Sequence, residues 1–254
     1  MVTVTEKEAV TALRAAGCVF AEEEAAMLAR AAPDAAALAA LVARRAAGEP
    51  LEQVVGFADF AGVRVRLRPG VFVPRVRSEL LVRVATERTG ERAVVVDLCC
   101  GSGALALAVA RRRPRAAVYA ADIDPVAVAC ARDNLGDRGY EGDLFAALPP
   151  GLRGRVDVLL ANVPYVATRH IPLLPAEARE HEPLTALDGG DDGLAVLRRV
   201  VAGAPRWLAP GGVLLSEITG AQVDSATEAI RAAGLRAETV HDDALEARVL
   251  CGVR

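Results

Sequence analysis

The chain has 254 residues, enough to bury a full core and to hold one large domain with a smaller one. Its 53% hydrophobic content is rich in alanine, and no stretch reaches the roughly 18 uncharged apolar residues that a bilayer-spanning helix needs, which excludes a membrane protein of the helical kind. The formal charge is −3, and arginine supplies every one of the 30 basic residues except Lys7. A chain that grips nucleic acid shows a basic excess or stripe, so nucleic acid is disfavoured as a direct substrate.

Glu6 and Glu8 sit where a signal peptide would carry its apolar core, and a cytoplasmic location is expected. The five cysteines, Cys18, Cys99, Cys100, Cys130 and Cys251, form no C-x-x-C pair, and their odd number argues against a disulfide framework. His170, His181 and His241 are scattered, so no metal site is expected.

The first elements are helices. Thr5 and Glu8 have the spacing of a capping box ahead of Val10 and Leu13. A second helix is predicted over about 21–31, ending near Pro33, and a third from Asp34 carries Leu38, Leu41 and Val42 on one face until Gly48 and Pro50 stop it. The period then changes to two. Val63, Val65 and Leu67 alternate with Arg64, Arg66 and Arg68, and with Phe57 and Phe60 across Ala61-Gly62 they predict a hairpin.

From Ser78 onward helices and strands alternate. After a linking helix to about Arg88, strands are predicted at 93–98, 117–121, 156–161 and 212–218. Helices are predicted at 104–112, 125–134, 194–207 and 222–233, with late strands at 237–241 and 248–253. Apolar strands alternating with helices predict a doubly wound, largely parallel α/β sheet.

In such a sheet the ligand lies beyond the carboxyl ends of the strands. Val94 to Leu98 runs into Cys99-Cys100-Gly101-Ser102-Gly103 and then directly into a helix, and Asp122 closes the next strand, 25 residues after Asp97. Gly101 and Gly103 let a ligand approach the backbone, and a carboxylate at Asp122 can accept both ribose hydroxyls. Read alone, this turn fits a dinucleotide as well as S-adenosylmethionine, because Gly101 to Ala106 also satisfies G-x-G-x-x-[GA]. Asp97 before the turn favours the methyl donor. Asp143, or Leu144 beside it, is a candidate for the adenine edge.

Ala161-Asn162-Val163-Pro164-Tyr165 follows the fourth predicted strand of this domain. The Asn162 amide oxygen and the Val163 carbonyl can each accept one N–H of a planar nitrogen nucleophile, Pro164 stiffens the turn, and Tyr165 can stack on the planar group. A hydride-transfer enzyme has no use for this corner, so it tilts the choice toward methyl transfer. Methylation of an exocyclic amine on nucleic acid, and a cofactor-binding module without catalysis, stand as the alternatives.

Taken together these motifs resemble the protein N(5)-glutamine methyltransferases that modify peptide-chain release factors or a ribosomal protein. The resemblance runs through Gly48-Glu49-Pro50-Leu51-Glu52, Pro69 to Arg75, Glu79-Leu80-Leu81-Val82, Asp97 to Gly103, Asp122 to Pro125, Gly142 to Phe145, Asn162 to Tyr165, Glu182-Pro183, Gly189-Gly190, Asp192-Gly193-Leu194 and Pro210-Gly211-Gly212. It implies a helical substrate-recognition domain with a hairpin linker over residues 1–75 and a Rossmann-like, S-adenosylmethionine-dependent domain over 76–254. It also implies donor contacts at Cys99 to Gly103, Asp122, Leu144 and Asn162, and a substrate glutamine of a Gly-Gly-Gln loop held by Asn162 to Tyr165. The chain departs from the family pattern at Val163, Cys99, Val76-Arg77-Ser78 and a short 134–143 segment, which predicts a divergent side branch.

Overall fold

The computed structural model describes residues 5–254. Thr5 caps α1 (Glu6–Ala15): its hydroxyl takes the Glu8 amide while the Glu8 carboxylate takes the Thr5 amide at 2.8 Å. Two further helices, α2 (Ala21–Ala31) and α3 (Ala35–Ala46), close a small apolar core around Leu13, Leu28, Leu38 and Val42. Pro50 stops α3 as the sequence predicts, but it also opens a short helix, α4 (Leu51–Val55), which Gly56 ends at φ +81°. Five residues are too few to display a period.

The hairpin pairs β1 (Phe57–Phe60) with β2 (Val63–Arg66). Its arginine side chains stay exposed, while the backbone at Arg66 and the Arg68 side chain tie the segment to the large domain. The Arg66 carbonyl accepts from Asn134, and Arg68 pairs with Asp133 at 2.6 Å.

The large domain contains, in chain order, α5 (Glu79–Arg88), β3 (Val94–Leu98), α6 (Ala104–Arg112), β4 (Ala117–Asp122), α7 (Pro125–Leu135), β5 (Gly139–Glu141), β6 (Val156–Ala161), α8 (Ala176–His181), α9 (Leu184–Leu187), α10 (Ala195–Trp207), β7 (Leu208–Glu217), α11 (Val223–Ala232), β8 (Arg236–Asp242) and β9 (Ala247–Val253). Sheet order is β5-β4-β3-β6-β7-β9-β8, with β9 antiparallel to both neighbours and the other pairs parallel. Val95, Val96, Leu98 and Val158 to Ala161 are fully buried because helices cover both faces, which is why these strands read as apolar runs broken only by Asp97 in β3 and Asp157 in β6.

Strand order reverses between β3 and β6, the switch point of the sheet. Leu98 pairs with Ala161 there, so the turn after β3 and the corner after β6 leave the sheet side by side. Two stretches separated by about sixty residues in sequence thus share one crevice.

Candidate active site

The crevice is a cleft of about 450 Å³ above the carboxyl ends of β3, β4 and β6. Cys99, Cys100, Gly101, Ser102, Asp122, Asp143, Leu144 and the whole corner Asn162 to Tyr165 line it. Asp97 and Gly103 do not. Asp97 is fully buried beneath the turn, where Oδ2 takes the Ala106 amide at 3.2 Å. Gly103, at φ +75°, lets α6 pack on α7: a Cβ there would stand 2.9 Å from Leu135 Cδ1.

The turn is fastened to β4. Cys100 donates its amide to the Ala121 carbonyl at 3.1 Å, and Gly101 donates to Asp122 Oδ2 at 2.9 Å, while Asp122 Oδ1 takes the Asp124 amide at 3.0 Å. Cys99 holds φ +55°, a left-handed conformation that normally belongs to glycine. Burial pushes both thiols up, away from a reactive thiolate, despite the helix start nearby. Burial also raises the Asp122 carboxyl, against the backbone amides that lower it, and lifts Asp97 to about 8.

At the corner after β6, Asn162 Nδ2 donates to Ser78 Oγ at 3.3 Å and Oδ1 is buried without a protein partner. Asp97 Oδ1 is the other such side-chain atom among the described residues. The Tyr165 hydroxyl donates to Glu217 Oε1 at 2.9 Å, and the Arg77 guanidinium lies 5.5 Å from its ring centroid. From behind, Gln222 Nε2 donates to the Tyr165 carbonyl at 2.9 Å. Gly189 packs so tightly on the corner that a Cβ would sit 2.7 Å from the Pro164 carbonyl oxygen.

Asp143 does not cap the turn that follows it. Its carboxylate pairs with Arg199 at 2.5 Å on the rim of the cleft. Arg199, Ser78, Phe72 and Leu184 also line the cleft. Arg199 and Leu184 belong to no motif, Phe72 and Ser78 lie in segments given no site role by the sequence, and only the folding of distant segments brings all four in.

A glycine turn that leaves the backbone open, a carboxylate at the next strand end and an orphaned amide oxygen beside them fit a nucleoside bearing an amino-acid tail. Comparison with known proteins decides the family. Residues 62–176 match the methyltransferase small domain family. The release factor glutamine methyltransferase of Geobacter sulfurreducens is 39% identical over 195 residues, covering 75% of this chain and 68% of the relative. The chain belongs to the release factor glutamine methyltransferase family.

This methyltransferase is also 40% identical over 203 residues to the 4-amino-L-phenylalanine/4-methylamino-L-phenylalanine methyltransferase of Streptomyces pristinaespiralis, covering 76% of this chain and 69% of that one. Among solved structures, a Pyrococcus furiosus methyltransferase overlays with a TM-score of 0.55 at 16% identity, covering 83% of this chain and 96% of that one. The enzyme therefore has the Rossmann-like class I methyltransferase fold, with its helical unit and hairpin ahead of it. S-adenosylmethionine is its cofactor, which removes the dinucleotide reading. Among the described residues no helix is long and apolar enough to cross a membrane.

Proposed function

We propose that the enzyme methylates the side-chain amide nitrogen of a glutamine in a peptide-chain release factor, the glutamine of a Gly-Gly-Gln loop, in the cytoplasm. The observation that carries this reading is the unpartnered, buried Oδ1 of Asn162, a residue that lines the cleft. A buried acceptor without a donor is costly, and a substrate N–H removes the cost. The names of the relatives at about 40% identity support the protein substrate.

When bound, S-adenosylmethionine supplies an electrophilic methyl group on a sulfonium. Residues Cys99 to Ser102 would cradle it, Asp122 would accept its ribose hydroxyls, and Asp143 with Leu144 would meet the adenine edge, with Asp97 supporting the turn from below and Gly103 seating it against α7. Asn162 Oδ1 and the Val163 carbonyl each accept one N–H of the substrate amide. This fixes the nitrogen and concentrates its lone pair along the line of attack. Pro164 limits the turn, and Tyr165, whose hydroxyl is already engaged, offers its ring to the planar group and excludes water. The proton can leave after transfer, so the corner needs no strong base. Residues 1–75 serve substrate recognition and 76–254 the chemistry.

The reading is tested by incubating the enzyme with labelled donor and separate pools of release factor, ribosomal protein, RNA and 4-amino-L-phenylalanine, then locating the label by mass spectrometry. Label on a release-factor glutamine is expected. Label on another pool replaces the substrate named here. Asn162→Ala should lose turnover yet keep much of its donor binding, and full turnover in that variant would rule out the role given to the side chain.

A further inference from the structure

Asn162 is useful as an acceptor only if its amide points the right way. A carboxamide turned by 180° occupies nearly the same space, so shape alone does not choose between oxygen and nitrogen. Hydrogen-bond polarity does. Ser78, buried at the start of α5, places Oγ 3.3 Å from Asn162 Nδ2 and donates its own hydrogen to Glu217 Oε2 at 2.6 Å. Glu217 ends β7, and its other oxygen, Oε1, takes the Tyr165 hydroxyl and Arg77 Nε, each at 2.9 Å.

A carboxylate only accepts, and a serine hydroxyl has a single hydrogen. With that hydrogen spent on Glu217, Ser78 meets Asn162 with a lone pair alone. The group of Asn162 facing Ser78 must then be the NH2, which leaves the oxygen for the cleft. We infer that Glu217 is a positioning residue for methyl transfer: acting through Ser78, it dictates that Asn162 presents an acceptor, not a donor, to the substrate amide. This rests on the reading of Asn162 as the acceptor for that amide.

Arg77 completes the device. Glu217 is 3% exposed, and a buried carboxylate needs a counter-charge. Arg77 supplies it from the rim while also touching the Tyr165 hydroxyl. Arg77 and Ser78 thereby acquire a joint task in a segment where the chain leaves its family pattern. Burial and the Glu217 carboxylate keep Tyr165 a phenol, so Tyr165 remains a donor to the same oxygen.

The discriminating variant is Glu217→Gln, which keeps the shape and changes the polarity. Tyr165 and Arg77 still donate to one side, so the carboxamide oxygen settles there and its NH2 faces Ser78. Ser78 must then accept from residue 217 and turn its hydrogen toward Asn162, which rotates to offer Oδ1 and leaves NH2 in the cleft. Turnover is expected to fall by about 10²-fold or more, the scale on which a single transition-state hydrogen bond acts. Donor affinity by calorimetry should change by less than about twofold, since no turn residue is touched. Ser78→Thr should restore what Ser78→Ala loses, and Glu217→Gln should add nothing in an Asn162→Ala background.

A second readout needs no substrate. In the nitrogen-15 spectrum of the free protein, the Asn162 side-chain NH2 signal, identified by its loss in Asn162→Ala, should shift on Glu217→Gln. A wild-type enzyme that methylates its substrate, with Glu217→Gln showing unchanged turnover and an unmoved NH2 signal, overturns the inference. An NH2 signal that shifts in an enzyme that methylates none of the pools supports the relay and overturns the proposed reaction instead.

Discussion

Asp122 grips the amide of Gly101 at 2.9 Å and so ties the end of β4 to the turn that follows β3. Its second oxygen holds the Asp124 amide at 3.0 Å. The same carboxylate therefore shapes the turn and lines the cleft. Asp122→Ala should weaken binding of S-adenosylhomocysteine by at least about tenfold and cost about 1 kcal/mol of stability, the penalty for leaving part-buried amides unpaired. Calorimetry and urea unfolding separate the two effects. Retained affinity would show that this side chain acts on the turn alone.

Asp97 makes stability depend on pH. Burial lifts its carboxyl from 3.8 to about 8, against the Ala106 amide, which lowers it. The folded state thus holds the proton more tightly than the unfolded chain. The stabilisation is complete below about pH 4 and is lost as pH rises toward about 8, at up to about 1.4 kcal/mol per unit. Asp97→Asn resembles the protonated form. It should match the wild type near pH 4 and below, and exceed it in melting temperature by a margin that grows toward pH 8, which a thermal unfolding series across that range checks.

Cys99 sits at φ +55°, a left-handed conformation that normally belongs to glycine. Cys99→Gly should relieve about 1 kcal/mol of backbone strain, minus the small gain in unfolded-chain entropy. The net expectation is a slightly raised melting temperature and unchanged or tighter donor binding. A fall in both would mean that the thiol itself packs against the turn to more effect than the strain it carries. Because burial raises the thiol, wild-type Cys99 should react with a thiol reagent near neutral pH far more slowly in the folded than in the unfolded protein.

Gly193 underlies the corner. It holds φ +76°, and a Cβ there would collide with the Tyr165 carbonyl oxygen and press on Gln222 Nε2. Gly193→Ala should push the corner toward the cleft and reduce turnover by about 10²-fold, the cost of roughly 1 Å of misplacement. Donor binding, governed by the turn on the neighbouring strands, should suffer much less. Equal losses in both would point to general unfolding instead.

Local pattern alone was enough for much of this protein. Thr5 and Glu8 mark α1, an apolar run broken only by Asp157 marks β6 at Val156–Ala161, and α6 runs over Ala104–Arg112 as its period requires. The glycine turn and the Asn162 corner were visible for the same reason, since each is a short contiguous motif at a strand end. Segments too short to show a period were not visible: α4, α8 and α9 passed unread. Tertiary structure decided what each motif touches. It put Asp97 under the turn and Gly103 against α7 instead of in the cleft, paired Asp143 with Arg199, and joined Ser78 to Glu217 across 139 residues. Periodicity reports which side of an element faces the core. Which partners meet there depends on strand order and register, and those belong to the folded sheet as a whole.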